Sequence, residues 1–250
     1  MTIKDKLTYQ LLSIFKIVFS LFNVKTRYWF AKLITYFIYY IFPIRKNVAQ
    51  KNIKTAFSNW SEIKINKTIF KSYQFFIHNI IEFFAFPKSW ENIEIKIKGK
   101  SFINDHLKNK KGIILVTGHF GSWEMLGSWI GRNFPLFTGI AVKQKNLGAH
   151  KFFIEQRELA GTKHILKKES RNKMYDVLSS NGILGLVSDQ DANKTGVFID
   201  FFGEKASTSK GAALFHINTN EPIIVALCNQ LNYKKYNINF KLITIENKTI

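Results

Sequence analysis

Cysteine is almost missing from this chain of 250 residues, which has one, Cys228, and only four prolines. A single cysteine excludes an intrachain disulfide and fits a reducing compartment. It ends the run Ile223-Ile224-Val225-Ala226-Leu227-Cys228, a continuous apolar pattern that reads as a buried strand, so it is expected in the core and not as a nucleophile. With no paired cysteines and no spaced histidine cluster, no metal site is expected. Acid is scarce too: 17 Asp and Glu stand against 37 Lys and Arg, a formal net charge of +20. Such an imbalance draws phosphates, anionic lipid or an acidic partner. Lysine outnumbers arginine 32 to 5 in a chain rich in Asn, Ile, Phe and Tyr. That is the signature of AT-rich codons, so the charge does not identify the partner. The arginines Arg27, Arg45, Arg132, Arg157 and Arg171 carry more information, because lysine cannot replace a guanidinium at a bidentate site.

Long uninterrupted apolar runs are also lacking. Residues 5 to 22 carry a helical stripe of Leu7, Leu11, Ile14, Phe15, Val18 and Leu21, but Gln10, Ser13 and Lys16 interrupt it. A lysine near the middle of a spanning helix costs about 2.5–3.5 kcal/mol on insertion scales. Residues 28 to 44 contain Lys32 and Pro43, which leave only Leu33 to Phe42 clean. Both stretches read as helices lying in a membrane interface, with a single span or a buried helix of a soluble bundle as alternatives. No compact signal peptide with a small-residue cleavage site is present. The expected organisation is membrane-associated helices over residues 1–44, followed by one α/β domain over 45–250.

What the chain has in abundance is apolar and aromatic residues, 46% and 15%, with 24 Phe. A basic helix is expected over 45–57, a turn at Ser58-Asn59-Trp60, a long helix over 61–84 ended by Pro87, and an edge strand over 92–98. Strands are then expected at 112–117, 137–142, 183–188, 222–228 and 237–245, alternating with helices at 122–131, 149–160, 171–180 and 209–218. The fold class is α/β, a mostly parallel central sheet with helices on both faces. Ligands in such sheets bind beyond the C-terminal ends of the strands.

One motif falls at such an end. Thr117-Gly118-His119-Phe120-Gly121-Ser122-Trp123-Glu124 follows the apolar run Gly112 to Val116. It reads as a strand-to-helix turn with Ser122 as N-cap and Glu124 in the first helical turn. The turn would let His119 and Glu124 converge, an imidazole base oriented by a carboxylate. Glu124 would be kept ionised by the helix N-terminus. A core histidine beside an unrelated capping glutamate is the plain alternative. Asp189 and Gln190 lie at the end of another expected strand.

These blocks together resemble the bacterial lipid A biosynthesis acyltransferases, the late lauroyl and myristoyl transferases. The resemblance runs through Arg45 to Phe57, then Gly118 to Glu124, then Arg157 and Gly161 in Glu155-Gln156-Arg157-Glu158-Leu159-Ala160-Gly161. It ends with Val187-Ser188-Asp189-Gln190-Asp191, Gly196 to Gly203 and Thr208. Where the family usually has Asn, this chain has Ser122. Family members usually continue beyond the point matching Ile250 with a Trp- and Arg-rich tail, so a fragment, a truncated gene, a short member or an inactive copy is expected.

The resemblance implies a glycerolipid-acyltransferase-like α/β fold and an enzyme at the cytoplasmic face of the inner membrane. It would move an acyl chain from the thioester of acyl carrier protein to a hydroxyl of a lipid A precursor, an anionic glycolipid, with no cofactor. His119 would be the general base, oriented by Glu124. Backbone N–H groups at Gly121 and Ser122 would serve the oxyanion. Arg157 would be a second stabiliser or a phosphate clamp, or else a surface ion pair with Glu155 or Glu158. Asp189 and Gln190 would support the site floor or simply cap a loop. Phe201 and Phe202, in the stretch Val197 to Gly203, would line the acyl channel or form a plain strand and turn. The alternatives are the same chemistry on a phospholipid, an ornithine lipid or a glycosylated phosphoinositide, and a non-catalytic basic membrane binder. No nucleic-acid-binding motif is found.

Overall fold

The computed structural model describes residues 1–169 and 171–244. Four helices open the chain: α1 (Ile3–Ser20), α2 (Val24–Tyr40), α3 (Lys46–Ala56) and α4 (Glu62–Phe84). Their starts follow side-chain chemistry. Thr2 and Asp5 form a capping box at α1, Asn23 accepts from the Thr26 N–H at α2, and Ser61 stands at the N-cap of α4. α2 closes at Tyr40 rather than at 44, clear of Pro43, because a residue before proline is pushed out of the helical region.

The rest is α/β: β1 (Glu94–Lys98), α5 (Lys100–Lys108), β2 (Ile113–Thr117), α6 (Trp123–Asn133), β3 (Phe137–Ala141), α7 (Leu147–Leu159), β4 (Lys163–Leu166), α8 (Arg171–Ser179) and β5 (Ile183–Val187). There follow β6 (Val197–Phe201), β7 (Glu204–Thr208), α9 (Gly211–Thr219), β8 (Ile223–Asn232) and β9 (Lys235–Leu242). The described sheet has the order β1-β9-β8-β2-β5-β3-β4. Every pairing in it is parallel except β8 with β9. β1 is an edge strand as expected. β6 and the turn after it are the plain strand and turn given as one alternative for Val197 to Gly203. β4, α5 and β7 were not expected as elements. They are short, and the separate β6–β7 hairpin has no buried face to impose an alternating pattern. The expected end of the last strand, residue 245, lies outside the described residues.

Both faces of the sheet are covered. On β2, Ile113 and Leu115 join a core with Leu126 and Trp129 of α6, Phe152 of α7 and Phe83 of α4. Ile114 points the other way, to Met174 and Leu178 of α8 and Phe215 of α9. A strand buried on both faces must be continuously apolar, which is why the run 112–116 shows no alternation.

α1 and α2 pack on this body. The Asp5 carboxylate accepts the N–H of Leu147, at the start of α7, and Tyr9 Oη donates to Glu155 at 2.7 Å. A Cβ on Gly148 would stand 1.8 Å from the Asp5 carbonyl oxygen, so glycine is what lets the two helix backbones touch. α2 is tied to α4 by Arg27, whose Nε and Nη2 donate to Glu82 at 2.9 Å each, both side chains fully buried. The opposite faces of α1 and α2 stay bare, with Leu7, Leu11, Ile14, Leu33, Phe37 and Tyr40 exposed. Among the described residues no helix is long and apolar enough to cross a membrane.

Candidate active site

β2 and β5 lie side by side and end together, Thr117 opposite Val187, with the Ser188 N–H donating to the Thr117 carbonyl at 2.9 Å. The residues that follow each strand therefore meet at the C-terminal edge of the sheet. His119 follows β2 and Asp189 follows β5. The Asp189 carboxylate takes the His119 backbone N–H on Oδ2 at 2.8 Å and faces the ring on Oδ1, 3.0 Å from Nδ1. Facing a carboxylate, Nδ1–H is the donor, an arrangement that in the neutral ring places the lone pair on Nε2. The imidazole is partly open to solvent and stands edge-on to Trp123, ring centroids 5.3 Å apart. Gly118 makes room for the clamp, since a Cβ there would press on the Asp189 side chain at 3.1 Å.

The expected convergence of His119 and Glu124 is not what the fold builds. Glu124 turns away along α6 and meets Arg157 of α7, with Nε donating to Oε2 at 3.0 Å and Nη2 to Oε1 at 2.5 Å. No hydrogen bond or ion pair joins His119 to Glu124 among the described residues. The sharp turn does form, but the first turn of α6 faces α7, so its carboxylate is taken by the arginine there. Arg157 thus pairs with neither Glu155 nor Glu158. Its guanidinium lies 5.9 Å from the Phe83 and Phe153 ring centroids. Burial works against its charge, and the Glu124 carboxylate more than offsets this, holding the guanidinium above its usual range. His164 of β4 lies in the field of this pair. Burial first, then the positive charge of Arg157, lowers its imidazole to about 4, against the weaker pull of Glu124. Its Nδ1 is buried with no hydrogen-bond partner among the described residues.

The turn itself is locked. Gly121 has φ +64, and a Cβ there would stand 2.1 Å from the Cys228 carbonyl oxygen. The Ser122 N–H donates to that same oxygen at 2.7 Å. Ser122 is at the N-cap position but makes no capping bond, and its Oγ is buried with no hydrogen-bond partner among the described residues. Its amide is therefore not free to serve an oxyanion, contrary to expectation. Cys228 is core, as expected; burial pushes its thiol up to about 12, so it stays protonated.

His119, Phe120, Gly121 and Trp123 line an apolar groove of about 800 Å³. α4 lines it too, through Thr68, Ser72, Phe75 and Phe76, with Ile38 of α2 and Ile44. Phe201 and Phe202 do not line this groove. They sit exposed on the β6–β7 hairpin, where Phe202 meets Phe57. Gln190 is exposed, with no side-chain partner among the described residues. The polar residues of the groove went unforeseen, Asn229 and Gln230 near the end of β8 among them. Asn229 makes no side-chain hydrogen bond among the described residues. Gln230 Nε2 lies 2.9 Å from Nδ1 of buried His78, whose Nε2 stands 3.4 Å from Glu82. Burial opposes the Glu82 charge, but His78 and Arg27 outweigh it and hold the carboxyl below its usual range. Among the described residues no three His, Cys, Asp or Glu side chains converge as a metal site.

A family model described as bacterial lipid A biosynthesis acyltransferase matches residues 4–242. The chain belongs to this family. Its similarity to curated proteins is more distant. It is 28% identical over 136 residues to the phosphatidylinositol mannoside acyltransferase of Mycobacterium tuberculosis strain H37Rv, 53% of this chain and 43% of that protein. It is 29% identical over 122 residues to the protein of the same name from Mycolicibacterium smegmatis, 47% of this chain and 40% of that protein. The chain thus matches less than half the length of these curated relatives. The span matched by the family model holds both the His119–Asp189 and the Glu124–Arg157 pairs.

Proposed function

We propose that this chain transfers a fatty acyl group from a thioester to a hydroxyl of a membrane glycolipid. The observation that carries this reading is His119, clamped by Asp189, at the lip of an apolar groove. The groove takes the acyl chain. His119 Nε2 removes the proton as the acceptor oxygen attacks the thioester carbonyl. The new C–O bond forms, the tetrahedral centre collapses, the C–S bond breaks, and the proton passes from His119 to the departing thiolate. Asp189 holds Nδ1–H and stabilises the imidazolium in between. The donor is already activated, so no acyl-enzyme intermediate and no cofactor are required. We assign the oxyanion donor to the Asn229 side-chain amide, in place of Ser122. Arg157, fixed by Glu124, supplies positive charge behind the turn.

The finer reading is acyl carrier protein as donor and a lipid A precursor as acceptor, at the cytoplasmic face of the inner membrane. The family match, the bare apolar faces of α1 and α2 and the net charge of +20 support it. The names of the mycobacterial relatives favour a second acceptor, a mannosylated phosphoinositide. A purified-protein assay with labelled acyl carrier protein or acyl-coenzyme A and a panel of acceptors separates these. Transfer to a glycolipid is expected, slowed in Asn229→Leu. Transfer to none, with the protein folded, would leave a non-catalytic membrane binder.

A further inference from the structure

α3 is basic and lies open. Arg45, Lys46, Lys51 and Lys54 fall between residues 45 and 57 without one acid, and no residue of α3 is buried. Lys54 pairs with Glu62, and Lys46 sits over the Tyr39 ring, but Lys51 has no acidic partner among the described residues. A hollow of about 490 Å³ runs along this face, lined by Asn47, Gln50, Lys51, Lys54 and Thr55.

Exposed apolar groups flank both ends of the helix. Phe37, Tyr40, Ile41, Phe42 and Ile44 lead into its N-terminus. At its C-terminus Phe57 meets Phe202 at the tip of the hairpin, ring centroids 5.7 Å apart. Every residue of β6 is exposed, and Phe201 and Phe202 are 61% and 54% accessible. A two-stranded hairpin with no packed face is marginal in water. A contiguous exposed apolar patch marks an interaction site. The base of this hairpin is anchored to the loop that follows Asp189, with the Ala192 N–H donating to the Ser207 carbonyl at 3.1 Å.

We propose that α3 and the β6–β7 hairpin form a docking surface for an anionic lipid bilayer. The rings of Phe201 and Phe202 at the hairpin tip enter the apolar layer on one side and Ile41 with Phe42 on the other. Arg45 and Lys51 between them meet the lipid phosphates. A cationic stripe between apolar anchors is the pattern of an interfacial element. An acidic protein would satisfy the lysines and leave the rings in water. The surface rests on the reading of a membrane-borne acceptor and joins the site to it, because the hairpin springs from the Asp189 loop.

The test uses neither donor nor acceptor, so its failure would leave the transfer assay standing. Phe201→Cys, labelled with an environment-sensitive dye, reports on the hairpin alone because Cys228 is buried. With vesicles of phosphatidylcholine and phosphatidylglycerol, the label is expected to shift to the blue and be quenched by quenchers on lipid tails. Phe201→Ser with Phe202→Asn, asparagine tolerating the positive φ at 202, should weaken vesicle binding by about tenfold or more. Lys51→Glu with Arg45→Asn, asparagine tolerating the positive φ at 45, should abolish the preference for phosphatidylglycerol over phosphatidylcholine alone. Circular dichroism melts confirm that each variant is folded. A label that stays in water while the protein binds vesicles would overturn the proposal. So would a label shielded by acidic carrier protein or by self-association and not by lipid.

Discussion

Asp189 holds His119 at two points, the backbone N–H at 2.8 Å and Nδ1 at 3.0 Å, across 70 residues of sequence. One carboxylate thus fixes where the histidine sits, which way its ring turns and which nitrogen is free. Asp189→Asn keeps the size but removes the charge that favours the imidazolium. Transfer at saturating substrate should fall by about 10²–10⁴-fold with little change in KM. A turnover within a few-fold of the native protein would assign the orienting role elsewhere.

The Glu124–Arg157 pair makes a different prediction. Glu124→Gln leaves a guanidinium largely buried without its counter-charge, which should cost about 1–3 kcal/mol of folding stability. Arg157→Lys should not restore it, because a single ammonium cannot reproduce the two-pronged bond. Thermal unfolding of both variants checks this. An unchanged midpoint in either would show the pair to be solvated and slack.

Groove length should read out in chain preference. Phe76 touches Trp123 beside His119, and Thr68 lies two turns earlier on α4, about 12 Å along the axis. Ser72→Phe should fill the space between them. Its kcat/KM should fall more steeply for long acyl donors than for short ones, across a series of thioesters. An equal fall for every length would place the acyl chain outside the groove.

His164 sets the acid limit. Its imidazole is lowered from 6.5 to about 4, so the unfolded chain binds a proton more readily than the folded one between those values. Its contribution is full above about pH 6.5 and is lost as pH falls towards 4. His150 and Arg157 oppose its protonation and Glu124 favours it. The midpoint of unfolding should therefore drop over that window, and less so in His164→Gln. Parallel curves for the two proteins would remove His164 as the cause.

Much of the fold is legible in the residues. The doubly buried β2, the glycine-bounded turn after it and the amphipathic α4 all follow from local pattern. Long-range pairing does not. The turn suggested Glu124 as partner of His119 because it is near in sequence. The true partner is set by β5 lying beside β2, which no local signal encodes. The same holds for the groove, whose wall is a face of α4 and whose polar corner comes from the end of β8. Phe201 and Phe202 looked like channel residues because they are apolar, but the hairpin that carries them has no layer to pack on. Arg27 and Arg157, marked out by the scarcity of arginine, both hold carboxylates in two-pronged bonds.

Single-turnover transfer by His119→Ala asks whether the free nitrogen of His119 takes the acceptor proton. A loss of about 10²–10⁴-fold is expected, with vesicle binding and thermal stability retained. Transfer at the native rate by that variant would mean that another group is the base.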